Sequence, residues 1–262
     1  MGDERKTSEA AQGLGWRWRR RPWVIAHRGA SREEPENTLR AFRRARELGA
    51  DGVELDVRRC ASGELVVFHD RELPRQGRRR RLPVAALPLA ALRSVELGRG
   101  ERIPTLEEAL EELGTELLVN VELKVETLRA TGIEAELARV VERMCSEGEQ
   151  ERLLVSSFNP LALLRTRTFA PRLARALLVQ RSAVVPRRSP WWLRFASLLE
   201  PSALHPERRL CSRESVLRWR RRGWAVNVWT VDHPDEWTRL VEWGVDGIIT
   251  NDPAEALRRL KP

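Results

Sequence analysis

The stretch WVIAHRGASREEPENTLRAFRRARELGADGVELDV (residues 23–57) decides the fold. It opens with a short apolar run at 23–26. Over 38–48 the apolar residues recur at three- and four-residue spacing, and a second short run follows at 52–57. Runs of that length suit strands and the period between them suits a helix, so the stretch reads as strand, helix, strand. The same rhythm continues along the chain. Strands are expected at 23–26, 52–57, 117–123, 153–156, 174–179, 203–204, 225–229 and 247–250, and helices at 38–48, 131–146, 160–169, 212–222, 235–243 and 253–260. Asn159-Pro160 and Asp252-Pro253 each supply a cap and a first-turn proline. Eight β/α units in 262 residues argue for an α/β fold of the closed (β/α)8 TIM-barrel type over an open doubly wound sheet. No GxGxxG or GxxxxGK[ST] loop occurs, which removes the usual nucleotide-binding alternatives.

Three stretches depart from the rhythm. Residues 1–22 are polar and basic without a period and are expected to form a flexible arm on a barrel spanning 23–262. An Arg- and Pro-rich insertion, about residues 71–104, is expected as a small lobe above the barrel. The segment 181–199 contains SPWWLRFASLL. Its Trp191, Trp192 and Phe195 read as core packing, with a weak peripheral contact to a lipid surface as the alternative.

At 42% hydrophobic and 32% charged residues the chain can bury a full core, which excludes a disulfide-stapled miniprotein and a disordered chain. The cysteines Cys60, Cys145 and Cys211 are far apart and fit no zinc spacing, as in a reducing compartment. No apolar run approaches the roughly 18 residues of a membrane span, and the first residues lack a signal-peptide pattern, so a soluble cytoplasmic protein is expected. The net charge of +9 and a pI near 10.8 invite a nucleic-acid reading. Against it, only three of the 47 cationic residues are lysine, Lys6, Lys124 and Lys261, and the arginines are spread over the whole chain. Such uniformity fits a compositional bias on a solvated surface, and nucleic acid is not an expected partner. Lys124 stands out as the lysine in the chain interior.

In a parallel barrel, side chains at the carboxyl ends of the strands converge on one mouth. The first strand ends in His27-Arg28-Gly29, the second carries Glu54 and Asp56, His69-Asp70 follows the VVF run, and the third carries Glu122 and Lys124. Later strands end in Ser156-Ser157, Asn227 and Trp229, and Thr250-Asn251-Asp252. Spacing of two puts Glu54 with Asp56, and Glu122 with Lys124, on one strand face, with Leu55, Val57, Val121, Leu123 and Val125 on the other. Three carboxylates gathered in a barrel repel one another unless a cation compensates them. Oxygen ligands without cysteine favour one divalent cation, Mg2+ or Ca2+, although pairing with Arg28 and Lys124 alone is the simpler alternative. Two histidines at the same mouth suit proton transfer in both directions, and Arg28 and Lys124 suit a phosphate. Metal, histidines and cations together describe phosphoester chemistry.

The motifs HRGA (27–30), PENT (35–38), GADGVELDV (49–57), VVFHD (66–70), VNVELK (119–124), SSF (156–158), VNVWTVD (226–232) and GVDGIITNDP (244–253) follow in an order that resembles the glycerophosphodiester phosphodiesterase family. The resemblance spans about residues 23–260. It implies a TIM barrel with an insertion after the HD motif, and hydrolysis of glycerophosphodiesters to an alcohol and glycerol 3-phosphate. It further implies Glu54, Asp56 and Glu122 as metal ligands, His27 and His69 as the acid/base pair, and Arg28 and Lys124 as phosphate contacts. Attack by the substrate's own 2-hydroxyl through a cyclic phosphate is also implied. Glu36 and Asn37 would order the loop after the first strand, and Phe158 and Trp229 would wall the glycerol pocket. Where the family commonly has a T-x-D-G turn, Cys60-Ala61-Ser62-Gly63 stands, and a remade hairpin turn is expected. Two alternatives stand beside this reading: the same site releasing head groups from lysophospholipids at a membrane, and polyanion binding without turnover. The sequence does not indicate an oligomeric state.

Overall fold

The computed structural model describes residues 22–73, 81–181, 196–197 and 199–261. The strands β1 (Trp23–His27), β2 (Gly52–Arg59), β6 (Leu118–Leu123), β7 (Leu153–Ser157), β8 (Ala174–Val179), β9 (Ala203–Pro206), β10 (Ala225–Val228) and β11 (Gly247–Thr250) pair in parallel in that order. β1 bonds to both β2 and β11, which closes the barrel. The expected (β/α)8 TIM barrel is thus the observed fold. α1 (Leu39–Glu47), α4 (Ile133–Met144), α6 (Pro160–Phe169), α7 (Arg213–Arg220), α8 (Pro234–Glu242) and α9 (Pro253–Leu260) follow their strands.

Alternation along each strand sorts the side chains. Leu55, Val57, Val121, Leu123 and Val125 point outward and pack with Phe42, Leu137 and Val140 of the helices. On the far half, Leu204, Val226 and Ile248 meet Val216, Trp219, Trp237 and Leu240. Inside the barrel, Trp23, Ile25, Leu118, Leu154, Ala176, Ala203 and Ile249 form a small apolar plug. The inward positions Asn120, Ser156, His205 and Asn227 are polar and fully buried. Asn227 Nδ2 donates to His205 Nε2 at 3.0 Å.

Several boundaries differ from expectation for reasons of sheet pairing. β2 runs on to Arg59 because β3 (Leu65–Val67) folds back antiparallel on it, Val57 facing Val67 and Arg59 facing Leu65. The turn between them closes with Gly63 N donating to Cys60 O, which is the remade hairpin turn. β9 continues to Pro206 because β8 pairs with it through Val179. β10 stops at Val228 and leaves Trp229 just past the strand. No helix is expected from the sequence over 106–113, yet α3 (Leu106–Leu113) stands there and fills the helical position after β2. A Thr105/Glu108 capping box starts it, and Leu106, Ala109, Leu110 and Leu113 are its buried face.

The insertion carries α2 (Leu89–Leu92) and a hairpin of β4 (Glu96–Gly98) and β5 (Glu101–Arg102). Leu73, Val84, Leu92, Val95 and Ile103 pack there with Cys60 and Val66 of the β2–β3 hairpin as a separate small core. A short α5 (Glu147–Gln150) precedes β7. Many arginines are spent on surface carboxylates, as in Arg43 with Glu112, Arg44 with Glu33 and Arg143 with Glu107. The arm at 1–21, the Arg78–Arg80 part of the basic run and the Trp191, Trp192, Phe195 patch lie outside the described residues. No helix among the described residues is long and apolar enough to cross a membrane.

Two predictions follow from the barrel interior. A Cβ on Gly247 would lie 2.6 Å from Asn227 Oδ1 and 3.3 Å from Ile25 Cδ1. Gly247→Ala is therefore expected to destabilise the protein by about 1–3 kcal/mol in denaturant titration, and an unchanged midpoint would overturn this packing. Burial alone lowers the pKa of His205 from 6.5 to about 3, so the folded state keeps it neutral. Above pH about 6.5 neither state is protonated there; below it the unfolded chain binds a proton that the folded chain refuses, and stability is lost as pH falls from 6.5 toward 3. At pH 5 the loss from this one group is about 2 kcal/mol. His205→Asn should flatten the decline of unfolding free energy between pH 7 and pH 5, and an identical slope in both proteins would refute the assignment.

Candidate active site

The mouth is assembled from the loop after β1, the ends of β2 and β6, and the start of the loop after β11. Past His27 the chain turns through Arg28 and Gly29, both at positive φ. Any side chain on Gly29 would meet the backbone of Ala41 in α1 at 2.7 Å, so this position both needs the left-handed backbone and lacks room for a Cβ. The turn sends Arg28 back over β2. Its backbone N–H donates to Glu54 Oε2 at 3.1 Å, and its guanidinium meets Asp56 at 3.0 Å and Glu36 at 2.9 Å. Asn37 locks the same aspartate from the loop, donating from Nδ2 to Asp56 Oδ2 at 2.8 Å and accepting from Asp56 N at 3.2 Å. Glu36 and Asn37 thus tie the loop after β1 to Arg28 and Asp56.

Asp56 and Glu122 are register partners on adjacent strands. One carboxylate oxygen each from Glu54, Asp56 and Glu122 lie within 4.8 Å of one another, all three residues buried. Lys124 Nζ bridges two of them, at 2.9 Å from Asp56 and 2.6 Å from Glu122. Three carboxylates against the two cations Arg28 and Lys124 leave a negative excess out of water. Burial, with Asp56 and Glu122 adding repulsion, pushes Glu54 well above the usual carboxylate range. Burial also raises Glu122 to about 7, Lys124 opposing. Asp56 goes the other way. Although burial works against it, Lys124 and Arg28 hold its carboxyl down at about 2. Glu54 Oε1 is buried and has no hydrogen-bond partner among the described residues. An orphaned carboxylate oxygen beside two further carboxylates is the donor set that a hard divalent cation satisfies.

His27 lies against this cluster, Nε2 at 3.8 Å from Glu54 Oε2. Its Nδ1 bonds Asn251 Oδ1 at 2.7 Å, and Asn251 in turn donates from Nδ2 to Asp232 Oδ2 at 2.7 Å. Because the Asn251 amide is oriented by Asp232, its oxygen faces the imidazole, so Nδ1 is the protonated nitrogen and Nε2 offers a lone pair. Burial, with Arg28 adding, lowers the His27 pKa to about 4 and keeps the ring neutral. His69 stands at the rim with its side chain 37% exposed, Nδ1 bonded to Asp70 at 2.9 Å. Its carbonyl is held by Arg58 at 2.8 Å. At the ends of β7 and β10, Phe158 and Trp229 meet edge to face, centroids 5.5 Å apart, and Trp229 Nε1 donates to His205 O at 2.7 Å.

Of the residues singled out from the sequence, Arg28, Glu54, Asp56, Glu122 and Lys124 form one bonded network, and His27 lies against it. His69 borders it, and Phe158 and Trp229 form a separate aromatic pair. Asn251 and Asp232 are the residues that sequence reasoning left out of the site. The one signal was a polar strand end at Thr250-Asn251-Asp252, and the link to His27 exists only because β11 closes on β1.

Comparison with known proteins agrees with this arrangement. Residues 27–255 match the Glycerophosphoryl diester phosphodiesterase family. The chain is 39% identical over 238 residues to a glycerophosphodiester phosphodiesterase of Caldanaerobacter subterraneus subsp. tengcongensis, covering 88% of this chain and 94% of that one. In three dimensions it is similar to an Oleispira antarctica phosphodiesterase solved in complex with the product sn-glycerol-3-phosphate, with a TM-score of 0.79 and 28% identity over 92% of this chain and 97% of that one. It is also similar to a Thermotoga maritima glycerophosphodiester phosphodiesterase, with a TM-score of 0.72, 26% identity, and 92% and 99% of the two chains covered. Closed barrel, acidic mouth and near-complete alignment place the chain in the glycerophosphoryl diester phosphodiesterase family of enzymes.

Proposed function

We propose that the protein hydrolyses glycerophosphodiesters to an alcohol and glycerol 3-phosphate, with Glu54, Asp56 and Glu122 holding one divalent cation and His27 and His69 moving the protons. The observation that carries this reading is the buried three-carboxylate cluster with its orphaned Glu54 oxygen, set against a neutral histidine. Bound there, Mg2+ or Ca2+ supplies Lewis-acid polarisation of a phosphoryl oxygen and acidifies a nearby hydroxyl. His27 is the base. Its free Nε2 takes the proton of the substrate's glycerol 2-hydroxyl as that oxygen bonds to phosphorus, and His69 gives a proton to the departing alcohol. In the second step the roles reverse: His69 takes a proton from water as the water oxygen opens the cyclic phosphate, and His27 returns its proton to the 2-hydroxyl. Holding nucleophile and phosphorus within one substrate supplies part of the rate.

Arg28 and Lys124 offer fixed positive charge to the phosphate, Arg28 by its fork and Lys124 as a point charge. Phe158 and Trp229 wall the glycerol. The Oleispira relative, whose structure holds sn-glycerol-3-phosphate, supports this product for the present chain. The free thiols Cys60, Cys145 and Cys211 support a reducing, cytoplasmic setting.

Release of glycerol 3-phosphate from glycerophosphocholine and glycerophosphoethanolamine is expected with Mg2+ or Ca2+ and is expected to vanish with EDTA. His27→Ala should lower kcat by about 100-fold or more. Folded protein with no turnover on either substrate under any cation would overturn the proposal and turn attention to lysophospholipids, then to polyanion binding. Asn251→Ala, which frees the imidazole to take the wrong tautomer, should lower kcat about tenfold or more with little change in KM. An unchanged kcat would show that the Asn251 contact does not orient the base.

A further inference from the structure

Beside the carboxylate cluster a cavity of about 240 Å3 lies between the end of β2, the loop after β6 and the insertion. Arg58, Arg59, Arg71 and Lys124 line it, together with Glu126, and Pro83 and Ala85 contribute the wall from the insertion. Lys124 belongs to both spaces, since it also holds Asp56 and Glu122.

The charge in this cavity is not balanced from within. Arg58 is committed to Glu126 at 2.7 Å and to the His69 carbonyl at 2.8 Å. Against the cost of burial, Arg58 with help from Arg71 holds the Glu126 carboxyl below its usual range, so this acid is already compensated. Neither Arg59 nor Arg71 lies within 4.0 Å of a carboxylate among the described residues; Glu64 and Glu126 act on them only from farther away. Arg59 reaches Thr131 O at 3.4 Å, and its Nε is buried without a hydrogen-bond partner among those residues. The N-terminal turn of α4 borders the same space and starts at Gly132 with no side-chain cap, but Glu134 and Glu136 in that turn offset the helix's positive end, so the positive charge of the cavity comes from its arginines and Lys124.

We propose that this cavity receives the leaving alcohol and selects alcohols that carry a further anionic group, a second phosphate above all. The inference rests on the hydrolytic reading given above. Its placement follows from Arg58: the side chain that lines the cavity also fixes the backbone of His69, the group that protonates the departing oxygen. The alcohol therefore leaves toward Arg59 and Arg71, away from the Phe158–Trp229 pair that walls the glycerol. Planar guanidinium groups suit a terminal phosphate, and uncharged or cationic alcohols gain nothing from them.

The test compares two substrates differing in one group, glycerophosphoglycerol and the same diester phosphorylated on the terminal hydroxyl of the leaving glycerol. Each is given to the metal-loaded full-length protein. The wild type is expected to favour the phosphorylated diester by about tenfold or more in kcat/KM, and Arg59→Gln and Arg71→Gln should each pull that ratio toward one. Arg71 is exposed, so its variant keeps the test valid should Arg59→Gln fold poorly. A wild-type ratio of one or below, or a ratio untouched by either substitution, overturns the inference while the hydrolytic reading stands. If neither diester turns over, equilibrium titration of both into wild type and Arg71→Gln decides separately. Tighter binding of the phosphorylated diester that is lost in the variant keeps the cavity and removes the reaction; equal binding removes both.

Discussion

Mutual repulsion among Glu54, Asp56 and Glu122, confined within 4.8 Å of one another and out of water, is the constraint that shapes this barrel mouth. Bare, such a cluster would cost several kcal/mol per charge, so each carboxylate is either paired or driven toward its neutral form. Asp56 takes the first course, with Arg28, Lys124 and Asn37 all turned on it. Glu54 takes the second. The tight turn at Arg28-Gly29, the order of the PENT loop and the lone interior lysine can each be read as part of this compensation. A dipositive ion would let Glu54 carry its charge as well, which is why the arrangement reads as a binding site rather than as a structural ion-pair network.

Asn120, Ser156, His205 and Asn227 occupy inward positions where a conventional barrel packs aliphatic side chains. Below them the apolar plug from Trp23 to Ile249 seals the amino end of the strands. At that end Asp51 accepts from Val24 N and from Lys261, so the first strand and the last helix are tied together beneath the site.

Most of the fold was legible because strand parity and helical period are local signals. Glu54, Asp56, Glu122 and Lys124 were found by their spacing of two, which by itself sends them to one face. α3 was passed over because its buried face is only four residues long and adjoins the irregular insertion, although the Thr105/Glu108 box marks its start. Asn251 and Asp232 escaped for another reason. Their role depends on which strand lies beside which, and no local pattern around residue 251 states that β11 will neighbour β1. The cation-lined cavity was equally hidden, since Arg59, Arg71 and Lys124 stand on three separate segments and only the insertion's fold brings them round one space.

The bond between His27 and Asn251 joins residues 224 positions apart in the chain. During synthesis the imidazole leaves the ribosome long before the amide that fixes its tautomer, and an intermediate with an open barrel lacks that contact. A chain in which β11 has not yet docked carries all three carboxylates and both histidines but lacks the Asn251 contact that sets the His27 ring. Closure of the barrel and orientation of the His27 ring are thus one and the same folding event.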